Sequence, residues 1–361
     1  MLVSIGALVA GAVALVRQAA APAWPPQDWS MAVCDVGQGD ALLLHTGPAS
    51  AIAVDTGPEP DREDACLRRF GITNLPLVIL THFHEDHIGG LTGLLAGRKV
   101  AAIETTLVDD PAAGARRVRE QAAAAGVPVR RVQPFESGTL GRVTWHALWP
   151  DPDGLPAVVP IATAGDSEEP MGGHGGEGSG PNNSSIVLSV SMTAPPGISA
   201  APLTALLTGD IESPVQQLLL AGSHRDELRA SVLKVPHHGS ANQAPGFAAA
   251  VDAAVAVVSV GHGNPYGHPA PRTLRLVGWD GARVYRTDLD GDVVIGQIAQ
   301  NGQVAVTGQR GVGVPGDQAG GTGAPQPGDS PYRRHGNSRG YGHDGGHSRS
   351  HSHDQHEPAF Q

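Results

Sequence analysis

Short apolar runs separated by turn residues occupy most of the chain between residues 29 and 300. Runs of four to eight apolar residues bounded by Gly, Pro, Asp and Asn predict strands, and longer amphipathic segments that end at Gly predict helices. Strands are predicted at 31–35, 41–45, 51–54, 77–80, 100–103, 185–192, 204–207, 232–235, 254–260 and 283–286, and helices at 61–70, 89–95 and 112–125. Strands that alternate with helices in this way indicate an α/β domain with mixed sheets.

The apolar pattern changes character at the N-terminus. Residues 2–16 carry no charged side chain, and Arg17 follows them. This run is shorter than the roughly 20 residues that cross a bilayer, and it lacks the positive start of a signal peptide, although APA at 21–23 resembles a cleavage site. We predict that 1–24 is a membrane anchor or the remnant of a channel helix. A cleaved signal peptide and a soluble apolar helix remain alternatives.

The C-terminal segment has almost no apolar residues. Gly, Ser, Pro, His and Arg dominate 311–361, so this segment cannot bury enough surface to offset its chain entropy, and we predict a disordered tail. Its histidines, which offer an alternative role in metal binding or delivery, are His335, His343, His347, His351, His353 and His356. The Gly- and acid-rich stretch 164–182 is predicted to be a flexible surface insertion. These boundaries leave 29–310 as one folded domain.

The net charge and the two cysteines exclude few classes of function. The formal net charge of −11 argues against a large nucleic-acid footprint held by electrostatics alone. Two divalent metal ions would add about four positive charges where a phosphate must sit. Cys34 lies in an apolar strand-like run and Cys66 in a predicted helix, and we interpret both as small buried hydrophobic residues. A single pair does not allow a disulfide to be inferred.

The strongest chemical signal is the segment THFHEDHIGG at 81–90. His82 and His84 are two positions apart at the end of an apolar strand, so their imidazoles point to the same side and can reach one cation. Asp86 and His87 follow in a turn that leads towards a helix, where they can reach a second cation nearby. Three histidines and one aspartate within six positions predict a metal site.

Other polar residues fall at the ends of other predicted strands. Asp210 ends an apolar strand in TGD, and its two carboxylate oxygens could bridge two metal ions. His237 and His238 follow the strand that ends at residue 235, and one of them would complete the shell of a metal. Asp55, in the turn DTG, is placed to orient a ligating histidine. Strand ends converge at one edge of α/β sheets, where active sites usually lie.

These motifs resemble the metallo-β-lactamase superfamily, and more narrowly the C-terminal domain of ComEC-type competence proteins, the inner-membrane channels of natural DNA uptake. The resemblance covers about residues 29–300. The segments that carry it, in chain order, are CDVGQGDALLL (34–44), DTG (55–57), THFHEDH (81–87), NNSSIVL (182–188), TGD (208–210), LKVPHHGS (233–240), GHGNPYGHP (261–269) and RTDLDG (286–291).

The resemblance implies the metallo-β-lactamase αββα four-layer sandwich and a metal-dependent hydrolase that uses two divalent metal ions, zinc or manganese. The implied metal ligands are His82, His84, Asp86, His87, Asp210 and one of His237 and His238. We assign His237 as the ligand and leave the opposite assignment open. The implied catalytic residues are Asp86, His238 and His268, and the residues implied to line the pocket or support the ligands are Asp40, Asp55, Asn183 and Asn264.

The implied reaction is attack of a hydroxide held by two metal ions on a phosphodiester, with DNA as the substrate during uptake. Asp86 would accept the proton, and His268 or the non-ligating histidine of the pair would contact the phosphate oxygens. The resemblance further implies a membrane location with the hydrolase domain outside the cytoplasm, and a separately encoded membrane channel as a partner. A secreted or soluble protein is the alternative location.

Two departures from the family pattern keep other functions open. Related hydrolases supply a further histidine between the HxHxDH motif and the bridging aspartate, and neither His146 nor His174 fits that role. ComEC-type proteins are also much larger, with many membrane spans. A hydrolase of a small ester, lactone or phosphodiester is therefore the first alternative, because one fold supports many chemistries. A binding module with a degenerate site is the second.

Overall fold

The computed structural model describes residues 24–159, 179–279, 281–299 and 301–311. Its strands are β1 Met31–Val33, β2 Leu42–Gly47, β3 Ser50–Val54, β4 Asn74–Leu80, β5 Lys99–Val100, β6 Ile103–Thr105, β7 Val129–Arg131, β8 Ser137–Leu140, β9 Val143–Trp149, β10 Val187–Met192, β11 Leu203–Leu207, β12 Val232–Lys234, β13 Val255–Val258, β14 Arg283–Arg286, β15 Val293–Ile298 and β16 Val304–Gly308. They form two sheets.

The helices lie between these strands. They are α1 Pro60–Arg69, α2 Glu85–Ile88, α3 Leu91–Leu95, α4 Ala112–Ala124, α5 Leu155–Val158, α6 Ser179–Asn183, α7 Ser213–Ala221, α8 Phe247–Val251, α9 Pro271–Trp279 and α10 Thr287–Asp290. Short 3₁₀ turns occupy Arg225–Leu228, Pro236–Gly239 and Gln309–Gly311.

The two sheets share one plan, an antiparallel half joined to a parallel half. In the first sheet the order is β16-β15-β1-β2-β3-β4-β6-β7, with β5 beside β4, and pairing is parallel from β3 to β7. In the second the order is β14-β13-β12-β11-β10-β9-β8, and pairing is parallel from β11 to β14. The carboxyl ends of the parallel strands therefore point the same way within each sheet.

Three apolar clusters show how the sheets are layered. One cluster contains Leu42 and Ile79 from the first sheet together with Leu188 and Val232 from the second, so the two sheets pack face to face. Since side chains alternate between the two faces of a strand, the residues that alternate with these core residues along each strand point to the outer face of their sheet. On the first sheet they pack with Leu67 of α1, and on the second with helices α7 to α9. The predicted αββα four-layer sandwich is confirmed.

Helix α1 shows how sequence and packing agree. Pro60 stands in its first turn with Asp61, and Arg68 and Arg69 stand in its last turn. Proline fits the first turn because its missing N–H is not needed there, and charges of these signs complement the helix dipole. The helix buries Leu67 against the outer face of the first sheet.

The helix predicted over 89–95 has a different form. The structure has two short helices, α2 and α3, and α2 begins earlier, at Glu85. A Cβ at Gly90, between them, would lie 1.9 Å from the backbone oxygen of Thr56. The close approach of these two loops requires glycine at this position, and it brings α2 with Asp86 and His87 against the end of β3.

Three sequence predictions fall on segments that the structure does not describe. They are the apolar segment before Trp24, most of the insertion at 164–182, and the tail beyond Gly311. No helix in the described ranges combines the length and the apolar character needed to cross a bilayer.

The two cysteines are buried as predicted, but they are bonded to each other rather than free. Cys34, directly after β1, and Cys66 of α1 form a disulfide with a Cα–Cα distance of 6.1 Å, within the usual range for such bonds. Both residues are buried in the same apolar cluster. The bond ties the loop that carries Asp40 to a helix on the outer face of the first sheet.

Removing this disulfide should destabilise the domain. The two cysteines are 32 residues apart, and for a loop of this length the chain-entropy model gives a loss of roughly 3–4 kcal/mol in the free energy of unfolding. We expect this loss in urea unfolding of the Cys34→Ser, Cys66→Ser double variant compared with the wild type. Dithiothreitol should lower the stability of the wild type and leave the variant unchanged. Equal stability of the two proteins without reductant would show that the bond does not form.

Candidate metal centre

Polar residues from both sheets meet where parallel strands end. Asp55 follows β3, the segment 81–87 follows β4, Asp210 follows β11, and His237 and His238 follow β12. Their polar side chains are buried except that of Glu85, which is exposed. Burying so many polar and charged side chains costs free energy unless their charges compensate one another or the side chains bind a metal ion. This edge of the sheets is therefore the candidate site.

The loop after β4 places three imidazoles in contact. Nε2 of His82 lies 3.1 Å from Nδ1 of His84, and the rings of His82 and His87 are 4.1 Å apart between centroids. Nδ1 of His82 lies 3.2 Å from the hydroxyl of Ser185, which in turn accepts a hydrogen bond from the backbone N–H of Asp210. Ser185, which the sequence analysis did not single out, therefore connects the loop to Asp210.

Asp55 holds the loop after β4 in place through hydrogen bonds. Its carboxylate accepts hydrogen bonds from the backbone N–H and the hydroxyl of Thr81, at 2.7 and 2.8 Å. It also lies 2.9 Å from Nδ1 of His87, which leaves Nε2 of that ring facing the site. This is the geometry of a carboxylate that orients a ligating histidine, the role that the sequence suggested for Asp55.

The tightest group in the site consists of Asp86, His87, Asp210 and His238. One ligand atom from each lies within 4.8 Å of the others. Oδ2 of Asp210 is 3.3 Å from Nε2 of His87 and 3.2 Å from Nε2 of His238. Nε2 of His238 is also 3.1 Å from Oδ2 of Asp86. Two carboxylates and two imidazoles thus converge on one point.

Several atoms in this group have no hydrogen bond of normal geometry among the described residues. They are Oδ1 of Asp86, Nε2 of His87 and both carboxylate oxygens of Asp210. Buried polar atoms are rarely left in this state. Imidazole nitrogen and carboxylate oxygen are ligands that zinc and manganese accept. The residues present therefore fit a divalent cation.

The charges within this group and its burial strongly shift the pKa values of its members. Burial alone would raise the pKa of Asp210, but the imidazoles of His238 and His87 overcome this and hold it well below its usual range. Conversely, burial would lower the pKa of His238, and the carboxylates of Asp210 and Asp40 raise it well above its usual range. Burial lowers the pKa of His82 well below its usual range, so that ring is neutral and can donate a lone pair.

Lys234, the last residue of β12, is a functional candidate that the sequence analysis missed. Its side chain is buried, and its ammonium forms an ion pair with Oδ2 of Asp40 and lies 3.5 Å from Oδ1 of Asp210. It also donates a hydrogen bond to the backbone oxygen of Gly209 at 3.1 Å. Lys234 thus places a positive charge beside the carboxylates of Asp40 and Asp210. A lysine inside an otherwise apolar strand was the available signal.

The two adjacent histidines have different surroundings. His238 belongs to the tight group, whereas Nε2 of His237 lies 3.9 Å from Oδ2 of Asp210 and its Nδ1 lies 3.3 Å from Glu212. The ring of His268 is 5.4 Å from that of His237. The structure thus groups His238, rather than the His237 that we assigned, with the other carboxylate and imidazole ligands.

The three asparagines near the site are held in different ways. Oδ1 of Asn183 accepts the backbone N–H of Glu212 at 3.0 Å, so this side chain supports a loop. Its neighbour Asn182 instead faces the site, with Nδ2 3.5 Å from Nε2 of His237. Asn264 bonds within its own loop, where its Oδ1 accepts the backbone N–H of His268 at 3.1 Å. Asn264 thereby fixes the loop that presents His268.

Backbone conformation sets the direction of several of these side chains. Asp55, His237 and His238 have φ values of 59°, 48° and 49°, in the left-handed region that side chains other than glycine rarely adopt. Such residues cluster at functional sites, where the surrounding contacts hold them. Gly39 has a φ of 145°, and a Cβ there would lie 2.2 Å from the backbone oxygen of Asp86. Glycine therefore lets the loop of Asp40 touch the loop of Asp86.

Two competence proteins are among the relatives that this chain matches. The chain is 28% identical over 281 residues to ComE operon protein 3 of Bacillus subtilis, which covers 72% of this chain and 32% of that protein. It is 25% identical over 283 residues to competence protein ComA of Neisseria gonorrhoeae, which covers 75% of this chain and 33% of that protein. The chain thus spans about a third of the length of these relatives.

One solved structure and one family model also match the chain. The metallo-β-lactamase fold protein YhfI from Bacillus subtilis matches with 14% identity and a TM-score of 0.41, over 76% of this chain and 99% of that one. The model of the metallo-beta-lactamase superfamily matches residues 34–262, more than half of the chain and nearly all of the site. This protein belongs to the metallo-β-lactamase superfamily of metal-dependent hydrolases.

Proposed function

We propose that the protein is a metal-dependent phosphodiesterase that cleaves DNA in competence-type DNA uptake. The observation that carries the proposal is the convergence of Asp86, His87, Asp210 and His238 on one point, in a chain similar to two competence proteins. The sequence segments that resemble ComEC-type proteins include the loops of Asp40 and His268 as well as the proposed metal ligands.

We propose two divalent metal ions, zinc or manganese, as cofactors. Asp86, His87, Asp210 and His238 would hold one ion. His82 and His84 lie beside this group and would hold the other, with Asp210 between the two. In this proposal His237 is not a metal ligand, although its position in the sequence suggested that role. Asn182, which stands next to His237, lies in the segment where related hydrolases supply a further histidine.

In the proposed reaction the metal ions, when bound, would supply an activated water for in-line attack and would polarise a phosphoryl oxygen. Asp86 is placed to receive the proton of that water, because its Oδ1 makes no hydrogen bond to a described residue. Asp55 keeps the proton of His87 on Nδ1. Lys234 holds Asp40 and Asp210 as carboxylates, since its charge stands beside both.

His237 and His268 would bind the phosphate on the open side of the site. Glu212 orients His237 through the contact at its Nδ1. His268 lies between His237 and Tyr266, whose ring is 5.8 Å from that of His268 at an interplanar angle of 28°. We propose that His268 contacts a non-bridging oxygen or assists the leaving group.

Tyr266 supports an extended nucleic-acid substrate. Its side chain is 51% exposed although it stands beside a buried site. Aromatic rings in such positions stack on bases with little regard to sequence, which contributes about 1–3 kcal/mol per base.

We propose that the hydrolase domain works outside the cytoplasm. The disulfide supports this location, because such bonds persist in oxidising compartments. Attachment to the membrane through residues 1–24 and a separately encoded channel as partner complete the proposal.

Hydrolysis of a small ester, lactone or phosphodiester is the second candidate. The net charge of −11 favours it, because a polyanion such as DNA is repelled by an acidic protein. The two candidates differ in the substrate but share the metal chemistry.

Cleavage of linear single- and double-stranded DNA by the full chain, with manganese or zinc added, tests the proposal. We expect cleavage that stops when metal is removed with a chelator and that is lost in His84→Ala. Glu120→Ala, which changes an exposed glutamate on α4 outside the cluster, should cleave normally. A protein that hydrolyses bis(p-nitrophenyl) phosphate with metal but leaves both DNAs intact would refute the DNA proposal and favour the small substrate.

A further inference from the structure

A second group of metal-binding side chains lies away from the centre described above. It consists of His146 on β9, His224 after α7, and Glu227 in the 3₁₀ turn Arg225–Leu228. Val143, Trp145 and Ala147 of β9 belong to the core between the sheets. Because side chains alternate along a strand, His146 points from the opposite face, towards the outer helices.

The ligand atoms of this group already face one another. Nδ1 of His146 lies 2.6 Å from Oε2 of Glu227, and Nδ1 of His224 lies 2.6 Å from Oε1 of the same carboxylate. The two imidazole rings are 5.4 Å apart between centroids. All three ligand atoms fall within 4.8 Å of one another.

The rings are also held in place. His146 lies on a strand that is paired on both sides, opposite Ser137 of β8 and Ser189 of β10. The ring of Phe135 stacks on His224 at 4.8 Å with an interplanar angle of 24°. Preorganised ligands of this kind lose little freedom when an ion binds.

The site differs in kind from a cluster of exposed acids. Two of its three members are imidazoles, and their side chains are only 22% and 33% exposed, against 42% for Glu227. Hydrogen bonds from His224 and His146 lower the pKa of Glu227, so the group contains a carboxylate at neutral pH. Two imidazole nitrogens and one carboxylate oxygen suit zinc and similar transition-metal ions.

We propose that His146, His224 and Glu227 form a second binding site, for a divalent transition-metal ion of the zinc class. On binding, each imidazole carries its proton on Nε2 instead of Nδ1, and Nδ1 donates its lone pair to the ion. The ion would tie β9 to the segment that follows α7, and would thereby stabilise the outer helical layer of the second sheet.

Site-resolved carbethoxylation tests the proposal, because the other histidines of the chain, including those of 311–361, can also bind zinc. Diethyl pyrocarbonate reacts with a free imidazole lone pair, and peptide mass spectrometry reports each histidine separately. With zinc well above its dissociation constant, we expect the rates at both His146 and His224 to fall by about tenfold or more in the full chain. Unchanged rates at these two residues would overturn the proposal.

Two glutamate variants separate metal binding from simple hydrogen bonding. Glu227→Gln retains the size of the side chain but loses the carboxylate, and should weaken zinc protection of His146 and His224 by about tenfold or more. Glu120→Gln, which changes an exposed glutamate on α4, should behave as the wild type. If Glu227→Gln protects both histidines at the same zinc concentration as the wild type, the three residues do not form one site.

Discussion

Asp210→Asn should abolish most of the metal-dependent hydrolysis, with a loss of about a thousandfold, which corresponds to roughly 4 kcal/mol of transition-state stabilisation. Asparagine has almost the same shape as aspartate, so packing at the end of β11 is retained. The loss arises because the amide lacks the negative charge that faces the imidazoles of His87 and His238 at 3.3 and 3.2 Å. Among the described residues, no other carboxylate stands so close to both rings.

The measurement has two parts, so that loss of metal and loss of chemistry are distinguished. Metal content after dialysis against zinc or manganese reports binding, and hydrolysis of bis(p-nitrophenyl) phosphate reports turnover without requiring DNA recognition. Asp109→Asn is the matched control, because Asp109 is an aspartate outside the centre whose carboxylate pairs with Arg119 and Arg131. An Asp210→Asn protein with normal metal content and normal turnover would remove Asp210 from the ligand set and contradict the proposed site.

Local sequence patterns were sufficient to locate the edge of the sheets at which the site lies. The HxHxDH segment directly follows an apolar strand, and so does the TGD turn of Asp210. Parallel strands bring their carboxyl ends together, so residues distant in sequence meet without any further information. The αββα arrangement required the family resemblance, because strand and helix order alone indicates only a mixed α/β domain.

Contacts over long sequence distances were the part that could not be predicted. Cys34 and Cys66 are bonded because α1 packs on the sheet beside β1, and neither spacing nor composition contains that information. The choice between His237 and His238 depends on two consecutive left-handed residues after β12. Strand alternation does not apply to such a turn, so the sequence left this choice open.

Some buried polar residues within the motif segments were missed for a related reason. Ser185 and Asn182 lie in the NNSSIVL segment, but both are uncharged and stand among other small polar residues, so the segment does not show which of its side chains face the site. Lys234 is different, since it is one of only two lysines in the chain and interrupts an apolar strand. Its function became clear only when Asp40, almost 200 residues earlier in the chain, was found beside it.

Lys234→Met should destabilise the protein by about 3–5 kcal/mol, the usual cost of removing one partner of a buried ion pair. Methionine fills a similar volume, so the effect is electrostatic rather than a matter of packing. Burial would lower the pKa of Lys234, but the carboxylates of Asp40 and Asp210 overcome this and raise it, so the lysine is charged at neutral pH. Without it, both buried carboxylates lose the ammonium that now stands beside them.

The other lysine of the chain provides the matched control. Lys99, on β5, is exposed, so Lys99→Met should change the free energy of unfolding by no more than about 0.5 kcal/mol. Urea unfolding of both variants in the presence of a chelator measures the difference. Added zinc or manganese should recover part of the loss in Lys234→Met, because a cation held by Asp210 replaces some of the missing positive charge. If the two lysine variants are equally stable in the chelator, Lys234 does not compensate the carboxylates of the site.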